Sequence, residues 1–542
     1  MRKDNWKVNV NGKGLSANDI MTRVLNARGI KNIEAFLHPS GNILPFDTFK
    51  NIQNAANVFL KHLEAKNHIM IYADVDADGC SSAAIMYHYI RACGVDCDTY
   101  INEKKEHGVK EAFLNVIHQL PTDLVIIVDS IDDTSEMYEK ILSTGCDLII
   151  LDHHVPSEEI VSKQERYNLV SSANEYPNPH LSGSGVTWKF CSYIDWIRNT
   201  NYAVELTDLA TVGIIADVCD VGLESMENRE ICYNGFNNVV NSGIQAIIGS
   251  YEFNSDSVSF SIGPVINAAN RAGKNHLALE LFLTDNLTQA KSIFKELSKI
   301  KEEQRDHANK LFEDFNNFVE PQKDNMCYVF FVDNTAESLA GLLATKACDK
   351  WKRPVLVLHD KGETYEGSMR ATGIEDFRNI INKSGHATSA GHENSAGVVI
   401  ESCFFEQVME YLNIELAKSG FIVKEEPIDL TVERMQISPF LLQKMKEVNR
   451  ITGQGFGPIT VLVENVQKYT IKKMSQGKHL CVEVPDMKFL WWNFNNWDNV
   501  IDDGNLSAVG TLDESFFMGK RTSQMIVKDM FFSADPIKTT LW

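Results

Sequence analysis

Residues 147–156 read DLIILDHHVP. An unbroken apolar run closes on one acid and two adjacent histidines. A continuous run of this length, without polar alternation, reads as a strand buried on both faces. The design recurs twice. HIMIYA (68–73) runs into ADVDADGCSS (73–82), and DLVIIV (123–128) runs into Asp129. Between these two lies CSSAAIMYHYIRACG (80–94), whose apolar positions suit a helix. Short buried strands alternating with helices predict a parallel α/β sheet, in which ligand sites gather beyond the carboxyl ends of the strands. All three acid clusters fall at that end.

Further along, Ala290, Ile293, Leu297, Ile300, Ala308, Leu311 and Phe315 follow three-and-four spacing through 286–316, which predicts one long amphipathic helix connecting two lobes. CYVFFV (327–332), a helix through ESLAGLLATKACDKW (337–351), and PVLVLHD (354–360) return to α/β character. From about 425, the runs ITVLVENV, HLCVEV, FLWWNF, LSAVGTL and SQMIVKDMFF suggest a small β-barrel. The resulting division is an N-terminal segment (1–45), a catalytic domain (46–284), a connector helix (285–320), a second α/β domain (321–424) and a barrel (425–542).

A length of 542 residues is enough for several cores. The net charge of −21 argues against coating nucleic acid through bulk charge, although a local basic groove stays compatible with it. The 11 cysteines are scattered and form no CxxC pair, so neither a zinc ribbon nor a disulfide framework is expected. No apolar run approaches the ~20 residues of a membrane span, and the first residues carry no apolar signal core. A cytoplasmic protein with no membrane partner is the expectation.

Asp74, Asp76 and Asp78 crowd three carboxylates together, and they repel unless a cation neutralises them, the alternative being a solvated acidic loop. The Gly and Glu of a calcium loop do not follow. Asp129 could equally cap the next turn. Asp152, His153 and His154 suit a borderline cation such as Mn²⁺ or Zn²⁺, the alternative being a buried structural histidine pair. Asp217, in TVGIIADVCDV (211–221), again follows an apolar run and is expected on a fourth strand-end loop. Acids from four such loops plus a histidine can hold two cations about 3.5–4 Å apart and support attack of water on a phosphoryl group.

DVDADG, VDS, LDHH and ADV, in this order, resemble motifs I to IV of the DHH phosphoesterase superfamily. The resemblance implies two Mn²⁺ or Mg²⁺ ions held by Asp76, Asp78, Asp129, Asp152, His153 and Asp217. It places His154 on the substrate phosphate and Asp74 behind the ligands. LSGSGVTWK (181–189), ENRE (227–230) and IGPVINAANRAG (262–273) resemble segments of the RecJ family of single-strand-specific 5′→3′ DNA exonucleases. The last keeps Asn267 and Arg271 but has Val265 and Asn270 where the family has Arg and Gly. EGSMRAT (366–372) and AGHENSAG (390–397) resemble the signatures of the associated DHHA1 domain, implying that Ser368, Arg370 and His392 grip phosphates. Arg suits this role by bidentate contacts. A second frame, SGHATSAG, offers His386, but spacing favours His392. GQGFGPITVLVENV and GKHLCVEV resemble the start of the RecJ OB-fold.

The implied architecture is α/β: a DHH domain with a parallel sheet, a long connector helix, an α/β DHHA1 domain and a C-terminal OB-fold barrel. OB-folds bind single strands with basic grooves and aromatic platforms. Lys468, Lys472, Lys473 and Lys478 supply the charge, whereas Phe489, Trp491, Trp492, Phe494 and Trp497 are expected mostly in the barrel core. Where the family has an Arg before a GYG, this chain has Asn102, with Lys104 and Lys105 close by, which implies altered recognition of a 5′ phosphate. The function implied is a two-metal exonuclease on single-stranded DNA in repair, recombination or replication, with His154, Asp152 and Arg370 at the chemistry. Single-stranded-DNA-binding protein or a helicase are the implied partners. Competing readings are a phosphodiesterase of short oligoribonucleotides or cyclic dinucleotides, which lacks the last domain, an inorganic pyrophosphatase of the same superfamily, and a non-catalytic replication scaffold, which lacks ligands.

Overall fold

The computed structural model describes residues 7–103, 108–420, 427–494, 497, 500, 504–517 and 520–533. Lys104 and Lys105 lie outside them. The chain divides into two units: residues 1–263, 279–291 and 425–542 form the first, and 264–278 and 292–424 the second.

The strands in chain order are β1 (Val8–Asn11), β2 (Ile69–Ala73), β3 (Cys97–Ile101), β4 (Leu124–Val128), β5 (Asp147–Asp152) and β6 (Leu169–Ser171). Of these, β2 to β6 make the predicted all-parallel sheet, in the order β3-β2-β4-β5-β6. Every residue of β2 and β4 is buried, which is why neither strand alternates. The strand order reverses between β2 and β4, the crevice where open α/β sheets bind ligands. Ala73, Val128 and Leu151 share one rung, so the next residues, Asp74, Asp129 and Asp152, emerge side by side.

One expectation fails here. TVGIIA belongs to the helix Thr207–Ala216, and Asp217 is its C-terminal cap rather than the end of a strand. Residues 207–215 are all buried, and a helix apolar on every side carries no period that would tell it from a buried strand.

The first unit also holds a mixed eight-stranded sheet formed with β12 (Ile428–Val432), β13 (Val461–Val466), β14 (Thr470–Met474), β15 (His479–Val484), β16 (Met487–Trp491), β17 (Asn505–Phe517) and β18 (Lys520–Ser533), in the order β1-β12-β13-β17-β18-β16-β15-β14. The N-terminal residues are part of this body. β1 pairs in parallel with β12, and Ile20, Val24, Leu25 and Phe36 share a core with Leu430, Val463 and Leu480. Arg28 fastens the join, donating from Nε and Nη2 to the two Asp429 oxygens at 2.7 and 2.6 Å. Arg28→Ala would strand the Asp429 carboxylate, whose side chain is 6% exposed. Breaking such a pair typically costs about 3 kcal/mol or more, read as a lower urea midpoint with unchanged metal binding.

The second unit carries the sheet β10-β11-β9-β8-β7, from β7 (Tyr328–Phe331), β8 (Val355–Asp360), β9 (Thr364–Arg370), β10 (Ala387–His392) and β11 (Ser395–Glu401). The helix Ala340–Trp351 packs on one face, its Leu343 and Ala344 sharing a core with Val357 of β8. Helices Phe377–Asn382 and Phe405–Ser419 pack on the other, around Leu358, Met369 and Leu412. The predicted amphipathic helix is Leu287–Phe315, 29 residues, and the chain passes along it from the first unit to the second.

Candidate metal centre

The first unit brings the acids and histidines of all four motifs together. Three overlapping groups have one ligand atom per residue within 4.8 Å of the others: Asp129 with His153 and His154, Asp78 with His153 and Asp217, and Asp74 with Asp76 and Asp129. Nε2 of His153 lies at the middle, 3.2 Å from Asp129 Oδ1, 3.8 Å from Asp217 Oδ2 and 3.9 Å from Asp78 Oδ2.

Each carboxylate is placed by identifiable backbone. Asp76 caps the helix Ala77–Ala92, its Oδ1 accepting from the N–H groups of Asp78 and Gly79, both at 3.1 Å. Asp78 accepts from Gly183 N at 2.7 Å and Ser184 N at 3.0 Å, at the start of the helix Gly183–Arg198. That helix N-terminus favours its negative charge. Asp129 sits at φ 54°, a left-handed conformation uncommon outside glycine that turns its carboxylate into the cluster. Gly183 must be glycine to pass it, because a Cβ there would stand 2.6 Å from Asp129 Oδ1.

The electrostatics call for a cation. Burial and then the charges of Asp78 and Asp76 raise Asp129, and burial with Asp78 pushes Asp217 up to about 6. Asp129 Oδ1 is buried and receives no hydrogen bond. A buried acceptor without a donor is costly, and a metal ion is the partner this donor set fits.

Asp152, expected among the ligands, accepts several hydrogen bonds within its own turn. Its Oδ1 accepts from His153 N at 2.6 Å, His154 N at 2.7 Å and His154 Nδ1 at 2.9 Å, and its Oδ2 accepts from Ile131 N at 2.8 Å. These donors fix the turn that presents both histidines. Burial opposes charge on both members of this pair. Even so, the His154 imidazole holds the Asp152 carboxyl below its usual range, and Asp152 in turn pushes His154 up to about 9. His154 stands beside the ligand cluster, with its side chain 42% exposed against 15% for His153.

The motifs LSGSGVTWK and ENRE have structural roles besides the Asp78 contact. Lys189 is fully buried and pairs with Glu227, which also accepts from Leu44 N at 3.0 Å and Tyr176 Oη at 2.9 Å. Arg229, 1% exposed, donates to the carbonyls of Phe36, Val221 and Ile451. Sequence reasoning overlooked Gly183, Ser184 and Gly213, whose meaning depends on what faces them. A Cβ on Gly213 would overlap the Asp78 carboxylate and the Ser184 hydroxyl.

Several of the other expected residues belong to the second unit. Asn267, exposed, and Arg271, whose Nε donates to Gln304 Oε1 at 2.9 Å, belong to the second unit. So do Ser368, Arg370 and His392. Arg370 shares a sheet rung with Ser395 and His392, and Ser368 is two residues before it on β9, so the three point to one face. Gly341 leaves room there, since a Cβ would come 3.3 Å from Arg370 Nη2 and 3.4 Å from Ser368 Oγ. His386 stacks on Phe404 with centroids 3.7 Å apart. Asn102 is buried and donates to Tyr72 Oη at 2.7 Å, so it faces the interior.

In the sheet of β14 to β18, Lys472 pairs with Glu483 at 2.5 Å and Lys473 lies over the Trp497 ring, 4.7 Å from its centroid. Lys478 and Lys468 are exposed. Phe489 and Phe494 are core residues with Trp491 and Trp497 packed against them, whereas Trp492 is 47% exposed.

Comparison with known proteins agrees with this geometry. The DHH family N-terminal domain matches residues 68–214, and the RecJ OB domain matches residues 428–529. The chain is similar to the single-strand DNA-specific exonuclease YorK of the SPbeta prophage in Bacillus subtilis, with 27% identity over 464 residues, 78% of this chain and 79% of that protein. It is also similar to the single-stranded-DNA-specific exonuclease RecJ of Bacillus subtilis, with 25% identity over 568 residues, 97% of this chain and 70% of that protein. The crystal structure of RecJ in complex with Mn²⁺ from Thermus thermophilus shares the fold, with a TM-score of 0.76 at 21% identity, covering 100% of this chain and 81% of that one. With the four-motif cluster on the parallel sheet matched by the DHH family N-terminal domain and the C-terminal sheet matched by the RecJ OB domain, the chain is similar to the RecJ-like proteins of the DHH superfamily and shares their fold.

Proposed function

We propose that this protein is a metal-dependent exonuclease that hydrolyses phosphodiester bonds of single-stranded DNA in the 5′→3′ direction, working in DNA repair, recombination or replication. The observation that carries the reading is the buried Asp129 oxygen without a donor, grouped with Asp74, Asp76 and His153, while His153 in turn groups with Asp78 and Asp217. Asp76, Asp78, Asp129, Asp217 and His153 would hold two Mn²⁺ or Mg²⁺ ions, with Asp74 adjoining. Bound there, such cations activate water and neutralise charge on the phosphoryl group. His154, kept protonated by Asp152, would sit against the phosphoryl oxygens and stabilise their growing charge. Ser368, Arg370 and His392, with Asn267 and Arg271, would hold phosphates upstream or downstream of the cut. Lys472, Lys473 and Lys478 would guide the strand over the OB domain. The names of the relatives support the substrate, and the intact ligand set and the OB domain speak against a scaffold and against a dinucleotide phosphodiesterase. A cytoplasmic setting and partnership with single-stranded-DNA-binding protein or a helicase belong to the same proposal. Among the described residues no helix is long and apolar enough to cross a membrane.

The deciding experiment is digestion with Mn²⁺ or with EDTA, using 5′-labelled and 3′-labelled single-stranded DNA, duplex DNA and single-stranded RNA. Label release from the 5′ end of single-stranded DNA alone, abolished by EDTA, is expected. Release from the 3′ end, or preference for RNA, would overturn the reading.

Mn²⁺ binding should depend on pH with a definite sign. Asp217, at about 6 in the folded protein, must lose its proton to bind a cation. Its raised value stabilises the metal-free fold at low pH, and that contribution is lost as pH rises from about 4 to 6. Mn²⁺ affinity should therefore fall as pH drops through about 6, as measured by calorimetric titration. Affinity that improves on acidification would contradict the assignment.

A further inference from the structure

We propose that the strap Arg450–Phe456, which leads into β13 of the OB domain, is a positioning element of the metal centre. It clamps the loop Asp217–Gly222 and so fixes where the Asp217 carboxylate stands. The inference rests on the reading of Asp217 as a metal-binding residue.

The two segments are built to interlock. Asp220 forms a parallel bridge with Gln454, and Val221 N donates to Gln454 O at 3.0 Å. The strap is closed on itself by Gly453 N donating to Phe456 O at 2.9 Å. Glycines face each other across the join. A Cβ on Gly222 would come 2.7 Å from Gly455 O, and one on Gly455, at φ 75°, would overlap the Asp220 carboxylate. Arg229 ties both sides, its Nη1 donating to Val221 O at 3.1 Å and to Ile451 O at 3.2 Å.

The clamp has something to hold. Val218, next to Asp217, sits at φ 57° with 60% of its surface exposed. A β-branched residue in the left-handed region costs on the order of 1–2 kcal/mol and persists only where its surroundings over-determine it. On one side the residue closes the helix, its N–H donating to Ile215 O at 3.2 Å and that of Cys219 to Ile214 O at 3.0 Å, and on the other the bridge from Asp220 to the strap holds the chain that follows. Released, the loop would relax at Val218 and carry Asp217 away from His153.

The test uses the full-length protein and Mn²⁺ itself as the probe. Gly455→Ala should weaken Mn²⁺ binding about 10–100-fold, the range for removing support behind a ligand. Gly453→Ala, whose Cβ would meet Val221 Cγ2 at 3.3 Å, presses less and should weaken it by a smaller factor. Gly457→Ala meets nothing within 4 Å and should leave it unchanged. Oligonucleotide binding in EDTA should stay within about twofold for all three, since the OB surface is untouched. Adding Val218→Gly to Gly453→Ala should restore Mn²⁺ binding, because glycine adopts the left-handed conformation without the clamp.

Unchanged Mn²⁺ affinity in a folded Gly455→Ala overturns the proposal, and if that variant does not fold, Gly453→Ala decides. Parallel loss of Mn²⁺ and oligonucleotide binding, or no rescue by Val218→Gly, also overturns it. A wild-type protein that binds Mn²⁺ but does not cut single-stranded DNA would refute the exonuclease reading and leave the clamp standing. A wild-type protein that binds no Mn²⁺ would remove the clamp's basis as well.

Discussion

Replacing His153 with alanine is expected to lower hydrolysis of single-stranded DNA by about a thousandfold or more, the loss of roughly 4 kcal/mol of charge stabilisation at about 1.4 kcal/mol per tenfold. Its Nε2 is within 4 Å of oxygens on Asp78, Asp129 and Asp217, so no other side chain can replace it at the middle of the cluster. Mn²⁺ affinity should fall with activity, while the fold holds, because the ring stands at the ligand cluster and is partly exposed. Asp152→Asn makes the informative contrast. An amide there presents a donor to the N–H groups of His153, His154 or Ile131, disturbing the turn without removing a ligand. Losses of about 10–100-fold are typical for such supporting groups. Single-turnover rates and calorimetry on both variants separate the roles. Full activity in His153→Ala would sink the metal centre, and equal loss of Mn²⁺ affinity in the two would restore Asp152 as a ligand.

Gly213→Ala is the second large effect. One methyl group, added inside a helix where alanine is otherwise favoured, would overlap the Asp78 carboxylate and the Ser184 hydroxyl. Either Asp78 leaves the bonds it accepts from Gly183 and Ser184, or the helices Thr207–Ala216 and Gly183–Arg198 move apart. Overpacking costs about 1–3 kcal/mol of stability, and a displacement of about 1 Å at a reacting group can cost about a hundredfold in rate. We expect a folded protein, its melting point lowered by several degrees, with at least that loss of cleavage. Melting curves and activity measured together would check it, and wild-type rates would show that Asp78 has no part in the centre.

What could be read from the sequence was whatever depended on neighbours along the chain. The strands ending at Ala73, Val128 and Asp152 were legible because burial on both faces leaves an unbroken apolar run, and their acids were legible by position. The Thr207–Ala216 helix was misread for the same reason, since complete burial erases the 3.6-residue period as well. Gly183 and Gly213 are the reverse case. Their requirement is set by Asp129 and Asp78, which are distant in sequence, and nothing local announces it. Asp152 matched the family motif that suggested a ligand, but its hydrogen-bond partners are fixed by how the turn closes. Trp492 and Trp491 are adjacent and chemically identical, and only the pleat of β16 and its end separate the exposed ring from the packed one.

The pairing of β1 with β12 has a consequence for how the protein comes off the ribosome. The Arg28–Asp429 contact joins residues 401 positions apart. At a synthesis rate of about 5–20 residues per second, Arg28 is exposed for roughly 20–80 s before Asp429 exists. The parallel sheet of β2 to β6 can collapse in that interval, but the apolar face of the helix Ala17–Ala27 must wait, uncovered, for the last domain to be made. Chaperone capture during translation should therefore concentrate on this early helix, and a chain interrupted before β12 should be an aggregating one even though every ligand of the metal centre has already been synthesised.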